Sequence, residues 1–198
     1  MLKLAESFYK QDTISLAKNL LGKIFIRKLD GQILAGKIVE TEAYHQQGDP
    51  SCHAHNGKTR RNAVMFEPPG HLYVYFTYGM HYCMNIVAEP EGIAAAVLIR
   101  SLEPLEGIEM MQKLRGNKIE CKNLCNGPAK LCQAFDITKQ QNGYFLEGKD
   151  IFISDAPSIA EQDIVITTRI GISQGKELPW RFYIKNNMYV SKTIPVLC

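Results

Sequence analysis

Three residues within IVETEAY (residues 38–44) have the types and spacing for chemistry: Glu40, Glu42 and Tyr44. In an extended chain, side chains alternate with period two. These three then share one face, and Val39, Thr41 and Ala43 the other. A carboxylate two residues from an aromatic ring suits a pocket that stacks a flat ring and activates a water. A solvent-exposed strand face carries the same residue types. Two carboxylates at i and i+2 also fit the paired acids of a glycosidase, but no other feature points to a polysaccharide groove.

A second cluster follows in HLYVYFTYGMHYCMNIVA (residues 71–88). Tyr73, Tyr75 and Thr77 share one face and can both stack and hydrogen-bond. Leu72, Val74 and Phe76 share the other face and read as core. Tyr78 falls at the tip of a hairpin. An aromatic projecting from a tight turn can wedge between stacked bases, or it can pack back on its own hairpin. Loop length decides what this hairpin can build. A two-residue Gly79-Met80 turn puts Tyr75 and Asn85 on opposite faces; a three-residue Tyr78-Gly79-Met80 loop puts them on the same face.

Cys52, His53 and His55 lie close in sequence and raise the question of a metal. No second pair has zinc-finger spacing, and Cys121 and Cys125 have no nearby His, so no metal is expected. His53 suits a neutral hydrogen-bonding role beside a base or sugar, or is a loop histidine with no role. Lys58, Arg60 and Arg61 follow with no acid before Glu67. Late in the chain Arg169, Lys176, Arg181, Lys185 and Lys192 face a single acid, Glu177. Such runs are solvated surface or a phosphate-contacting rim.

The elements that position these residues can be read in outline. Asp12 caps a short helix with Ile14, Ala17, Leu20 and Leu21 on one face, stopped at Gly22. KIFIRKL, an Asp30-Gly31 turn and QILAGKIVETEAY form a hairpin. AAAVLIRSL is a buried strand. LEGIEMMQKLRG is an amphipathic helix, and GPAKLCQAF begins another with Pro128 in its first turn. DIFIS, DIVITTRIGI and WRFYIKNNMYVS read as late strands. Strands outnumber helices, which predicts one α+β domain over residues 1–198 with a mostly antiparallel sheet.

Composition sets the outer limits. The chain has 198 residues, 45% hydrophobic and 22% charged, with a net charge of +3. That suits an ordinary domain with its own core and excludes a histone-like polycation. The opening residues hold no apolar run long enough for a signal peptide, so a cytoplasmic protein with free thiols at its six cysteines is expected. Residues 68–88 carry no charge, yet two prolines and four tyrosines mark them as β structure rather than a membrane span.

The stretches IVETEAY, KTRRNAVMFEPPGHLYVYFTYGMHYCMNIV, VLIRSLEPLEG, NGPAKLCQAF and RIGI with LPWRFYIKNNMYVS resemble, in this order, the 3-methyladenine (alkyladenine) DNA glycosylases. The resemblance runs from about Leu16 to Lys192, and the lack of a long N-terminal extension looks like a compact bacterial form. It implies a single mixed domain with a curved sheet, surrounding helices and a protruding hairpin. It implies a monomer acting on double-stranded DNA that contains damaged purines, cytoplasmic or nucleoid-associated, with no metal or organic cofactor.

Site roles follow from the same resemblance. Glu42 matches the general base; Arg100 and the main-chain carbonyl of Ile170 match groups that hold the attacking water. Tyr44, His53 and Tyr75 match the walls of the base pocket. Asn85 matches the residue used against undamaged guanine. Tyr78, with Met80 beside it, matches the side chain inserted where the flipped nucleotide was. Lys58, Arg60 and Arg61 match a backbone-contacting loop.

Overall fold

The fold was obtained as a computed structural model, which describes residues 2–191. A one-turn helix, α1 (Glu6–Tyr9), precedes α2 (Thr13–Asn19). The Asp12 carboxylate accepts the Ser15 amide at 3.0 Å, the expected cap, and Leu16, Ala17, Leu20 and Leu21 are buried. β1 (Ile24–Leu29) and β2 (Gln32–His45) form the first hairpin. Asp30 and Gly31 both take positive φ there, the signature of a type I′ turn.

β3 (Leu72–Thr77) and β4 (His81–Val87) form the second hairpin. Thr77 pairs with His81, so the connection is the three-residue loop Tyr78-Gly79-Met80. Tyr75 and Asn85 therefore share a face. Next come β5 (Ala95–Glu106), α3 (Ile108–Leu114) and α4 (Pro128–Ala134), with Pro128 in the first turn of α4. β6 (Ile151–Ser154), β7 (Ile164–Thr167) and β8 (Arg181–Ile184) close the described chain. The last two are much shorter than the alternating runs that foretold them.

All eight strands join one curled sheet in the order β3-β4-β5-β2-β1-β6, and every pairing is antiparallel. β8 takes over the edge of β2 beyond β1, pairing Glu40–Glu42, and β7 pairs β8. Sheet and helices form a single mixed α+β domain, as expected. Among the described residues no helix is long and apolar enough to cross a membrane.

Period-two alternation divides the sheet into two unlike faces. One face sends Ile38, Ala43, Val74, Met84, Ile86, Val97 and Ile99 into the main core, closed by Leu16 of α2, Leu20 at its C-terminal cap and Leu131 of α4. Phe135, just past α4, meets Phe25 edge-on at 5.4 Å in the same core. The opposite face supports a smaller cluster of Tyr73, Val87, Ala96, Met65, Cys52 and Ala54, with Tyr44 and Tyr75 packed on it.

One alternative falls and one expectation changes. β2 is buried on both faces, so Glu40 and Glu42 are fully buried instead of lying on an exposed strand face. Phe76, expected in the core with Leu72 and Val74, is 47% exposed. It sits next to the end of β3, paired with Tyr82 across the hairpin, and its ring meets the Tyr82 ring at 5.2 Å.

Candidate active site

Register aligns the site. Glu42 on β2 pairs with Leu98 on β5, Leu98 with Asn85 on β4, and Asn85 with Tyr73 on β3. Directly paired residues point to the same side of a sheet. One transverse row thus carries the carboxylate, the amide and a phenol onto the smaller face. Neighbouring rows add Tyr44 and Tyr75. Compensating bulges interrupt the β2–β5 ladder: Val39 is the extra residue on β2 and Arg100 the extra residue on β5. Bulges commonly re-aim a side chain beside a functional site. Here Arg100 reaches both acids of β2.

The Glu42 carboxylate has three partners. The Ile170 amide donates to Oε1 at 2.8 Å, and the Tyr44 hydroxyl donates to Oε2 at 2.8 Å. Arg100 Nη1 also donates to Oε2, at 3.2 Å. A carboxylate offers about four acceptor positions, so one remains. Burial and the Glu42 charge push the Tyr44 phenol well above its ordinary range, which keeps it a donor. For Arg100, burial works against the charge, but Glu42 and Glu40 outweigh it and raise its pKa.

Glu40 has a different task. It accepts Arg181 Nε at 2.6 Å, and the Ser191 amide and hydroxyl at 2.7 and 2.9 Å. Arg100 Nε stands 3.4 Å from it, an ion pair without an aligned hydrogen bond. Glu40 is thus engaged by Arg181 and Ser191 and holds Arg100 in place as an ion pair, which removes the paired-acid glycosidase arrangement.

In front of this network opens a cleft of about 740 Å³, in the size range of small-molecule sites. Tyr44, His53, Tyr75, Asn85, Arg100 and Ile170 all line it, and Tyr78 stands at its edge. The structure therefore brings together residues from four strands and three loops. His53 Nδ1 lies 2.9 Å from the Tyr73 hydroxyl, and the His53 ring meets Tyr75 edge-on at 4.5 Å. Partial burial, aided by Arg61, lowers the His53 pKa and favours the neutral ring. Asn85 donates to the Tyr73 carbonyl at 3.1 Å, which fixes its side chain against β3.

At the hairpin tip Tyr78 is 84% and Met80 70% exposed. Tyr78 and Gly79 both have positive φ, at 49° and 69°, so the loop turns tightly and throws the ring outward. The ring is not packed back on its hairpin. Lys58, Arg60 and Arg61 are exposed nearby. Arg61 leans over the Tyr75 ring at 5.8 Å and donates to the Phe76 carbonyl at 3.3 Å, while Lys58 lies 5.3 Å over Phe66.

The late basic run divides. Arg169 and Arg181 are buried and paired with Asp49 and Glu40, so neither belongs to an exposed rim. Lys192 lies outside the described residues, as does Cys198. Cys52, Cys83, Cys121, Cys125 and Cys132 are unpaired, and no group of three His, Cys, Asp or Glu able to hold a metal occurs among the described residues. Sequence reading missed Tyr73 as the partner of His53, and Asp49 altogether. Nothing in a polar loop marks one aspartate as the partner of an arginine 120 positions later.

Comparison with known proteins identifies the family. A family model described as methylpurine-DNA glycosylase matches residues 7–188. A protein of Carboxydothermus hydrogenoformans assigned as a 3-methyladenine DNA glycosylase is 57% identical over 96% of this chain and 98% of its own. Proteins with the same assignment from Chlorobaculum parvum and Francisella tularensis are each 50% identical, over 98% and 94% of this chain and 92% and 97% of theirs. The chain belongs to the methylpurine-DNA glycosylase family.

Proposed function

We propose that this chain is a monofunctional DNA glycosylase for alkylated or deaminated purines such as 3-methyladenine. It flips the damaged nucleotide out of duplex DNA and hydrolyses its N-glycosidic bond, leaving an abasic site. The observation that carries this reading is the buried Glu42 carboxylate behind an aromatic cleft, with three donors in place and one acceptor position open.

A purine C1′–N9 bond breaks with positive charge developing on the sugar. Alkylation at N3 or N7 makes the base cationic, so the leaving group needs little assistance. The protein supplies an aligned water and a negative charge near C1′. Glu42 provides both: its open position accepts a proton of the water, and its charge faces the oxocarbenium-like centre. Arg100 and the main chain at Ile170 keep the carboxylate still, so little reorganisation accompanies the reaction.

The tyrosine walls attract a cationic ring by about 0.5–2 kcal/mol. Asn85, tied to β3, presents a fixed amide that rejects the exocyclic amino group of guanine by clash or by leaving it unpaired. Tyr78 and Met80 fill the space the flipped nucleotide vacates, offsetting part of an unstacking cost of a few kcal/mol. Lys58, Arg60 and Arg61 serve the phosphates as one salt-sensitive surface. Among the described residues, those lining the cleft include no lysine, which supports hydrolysis over Schiff-base chemistry and strand nicking.

The test is to incubate the protein with methylated duplex DNA and identify the released bases by chromatography. Free 3-methyladenine with a strand that breaks only after alkali is the expected result. Binding without release would replace the enzyme with a damage-binding protein. Nicks without alkali would indicate a lyase.

A further inference from the structure

Behind Tyr44 lies a charged pair that the proposed chemistry does not use. The Arg169 guanidinium meets the Asp49 carboxylate side-on, Nη1 to Oδ2 at 2.6 Å and Nη2 to Oδ1 at 2.7 Å, and neither side chain is exposed. The same two nitrogens hold main-chain oxygens. Nη1 donates to the Ala43 carbonyl at 3.0 Å, between Glu42 and Tyr44 on β2, and Nη2 to the Gly175 carbonyl at 3.3 Å. The planar guanidinium also stacks near two rings, 4.6 Å from Tyr44 and 5.3 Å from Trp180.

One side chain therefore ties together three segments. They are the strand carrying Glu42 and Tyr44, the loop carrying Asp49 and His53, and the loop running from Ile170 to Gly175. A second tie joins the two loops, from the Ser51 hydroxyl to the Gln174 carbonyl. Arg169 immediately precedes Ile170, whose amide bonds Glu42. Glycine suits the point where the loop returns. Gly175 has φ +57°, and a Cβ there would lie 3.1 Å from Arg169 Nη2 and 3.3 Å from Asp49 Oδ1.

We propose that Arg169 and Asp49 form a positioning clamp that sets the distance between the Tyr44 wall of the base pocket and the Ile170 segment bonded to Glu42. A buried ion pair of this kind contributes little net stability, because apolar residues of similar volume often serve the fold as well or better. What apolar residues cannot do is hold Ala43, Asp49 and Gly175 at once with a planar five-donor fork. Lysine keeps the charge and loses the fork.

The inference rests on the proposed glycosylase reaction, and its test separates the two. Arg169→Lys and the double variant Arg169→Met/Asp49→Leu are compared with wild type. The chain holds a single tryptophan, Trp180, so its emission and its quenching by acrylamide report directly on the clamp. Thermal melting shows whether each variant folds. Single-turnover release of base from methylated duplex is measured beside affinity for duplex containing a stable abasic analogue.

The double variant is expected to melt cooperatively with Trp180 more open to quencher. Its release rate is expected to fall about 10–100-fold, the scale of loss when supporting contacts of a site are removed, while affinity for the abasic duplex changes less than threefold. Arg169→Lys is expected to fall between the two. A folded double variant with wild-type release and unchanged quenching would overturn the clamp and leave the glycosylase reading intact. Wild-type protein that releases no base overturns the glycosylase reading. The clamp then stands on Trp180 quenching alone, and unchanged quenching would overturn it too.

Discussion

The two faces of this sheet are made from the same strands by opposite rules. On the helix-backed face Val74, Ile86, Val97 and Ile99 pack against Leu16, Leu131 and Phe135 with no charge among them. On the cleft face three buried acids, Glu40, Glu42 and Asp49, meet three buried arginines, Arg100, Arg169 and Arg181. The first arrangement stabilises by removing apolar area from water, roughly 25 cal/mol per Å². The second contributes little net stability, yet each of its charges is costly to leave alone. Burial on one face holds the fold, and burial on the other holds geometry. Mutations should therefore separate stability from activity according to the face they strike.

The largest effect is expected where the two roles meet. Arg100→Met removes the one cation between two buried carboxylates. Base release is expected to be lost and the unfolding free energy to drop by about 3–5 kcal/mol, measured by denaturant titration. A variant as stable as wild type would mean that the acids of β2 do not need their partner.

Phe135→Ala strikes the apolar face alone. The expected loss is about 3–5 kcal/mol of stability, with release per folded molecule unchanged well below the melting midpoint. A slower folded enzyme would show that the faces are coupled.

Tyr78→Ala should do the reverse, because the ring touches little of its own protein. Stability is expected to hold, while duplex affinity weakens by about 1–3 kcal/mol, the worth of one aromatic–base stack. Unchanged affinity and release on duplex DNA would remove the wedge role.

The smallest effect concerns His53. Its pKa is lowered in the fold, so the unfolded chain binds more protons once pH falls below about 6.5. Its contribution is then present above that pH and is lost progressively on acidification toward the lowered folded value. His53→Asn is expected to lose less of its melting temperature between pH 7.5 and 5.5 than wild type. An equal or larger loss would contradict a neutral His53.

How much was legible in the sequence divides along the same line. Local signals carried through: the Asp12 cap, the Asp30-Gly31 turn, Pro128 in the first turn of α4, and the alternation that groups Glu42 with Tyr44 and Tyr73 with Tyr75. The hairpin tip was legible only as two loop lengths, and pairing of Thr77 with His81 selected the longer. What stayed hidden depends on partners remote in the chain. Arg181 meets Glu40 across 141 positions, and no composition signal distinguishes it from the exposed Lys185. The bulges at Val39 and Arg100 are likewise invisible to strict alternation, because they arise from how two long strands fit together. Phe76 has the pattern of a core residue and is nonetheless half exposed near the hairpin end.

The central claim is that Glu42 activates the water that releases the base, and one comparison tests it most directly. Wild type and Glu42→Gln are compared for single-turnover release of 3-methyladenine from methylated duplex DNA, with duplex affinity measured on the same preparations. Gln keeps the shape and an acceptor for the Ile170 amide but cannot take a proton. Release is expected to slow about 10²–10⁴-fold with affinity retained. A Gln variant that binds and releases base at the wild-type rate would contradict the assignment.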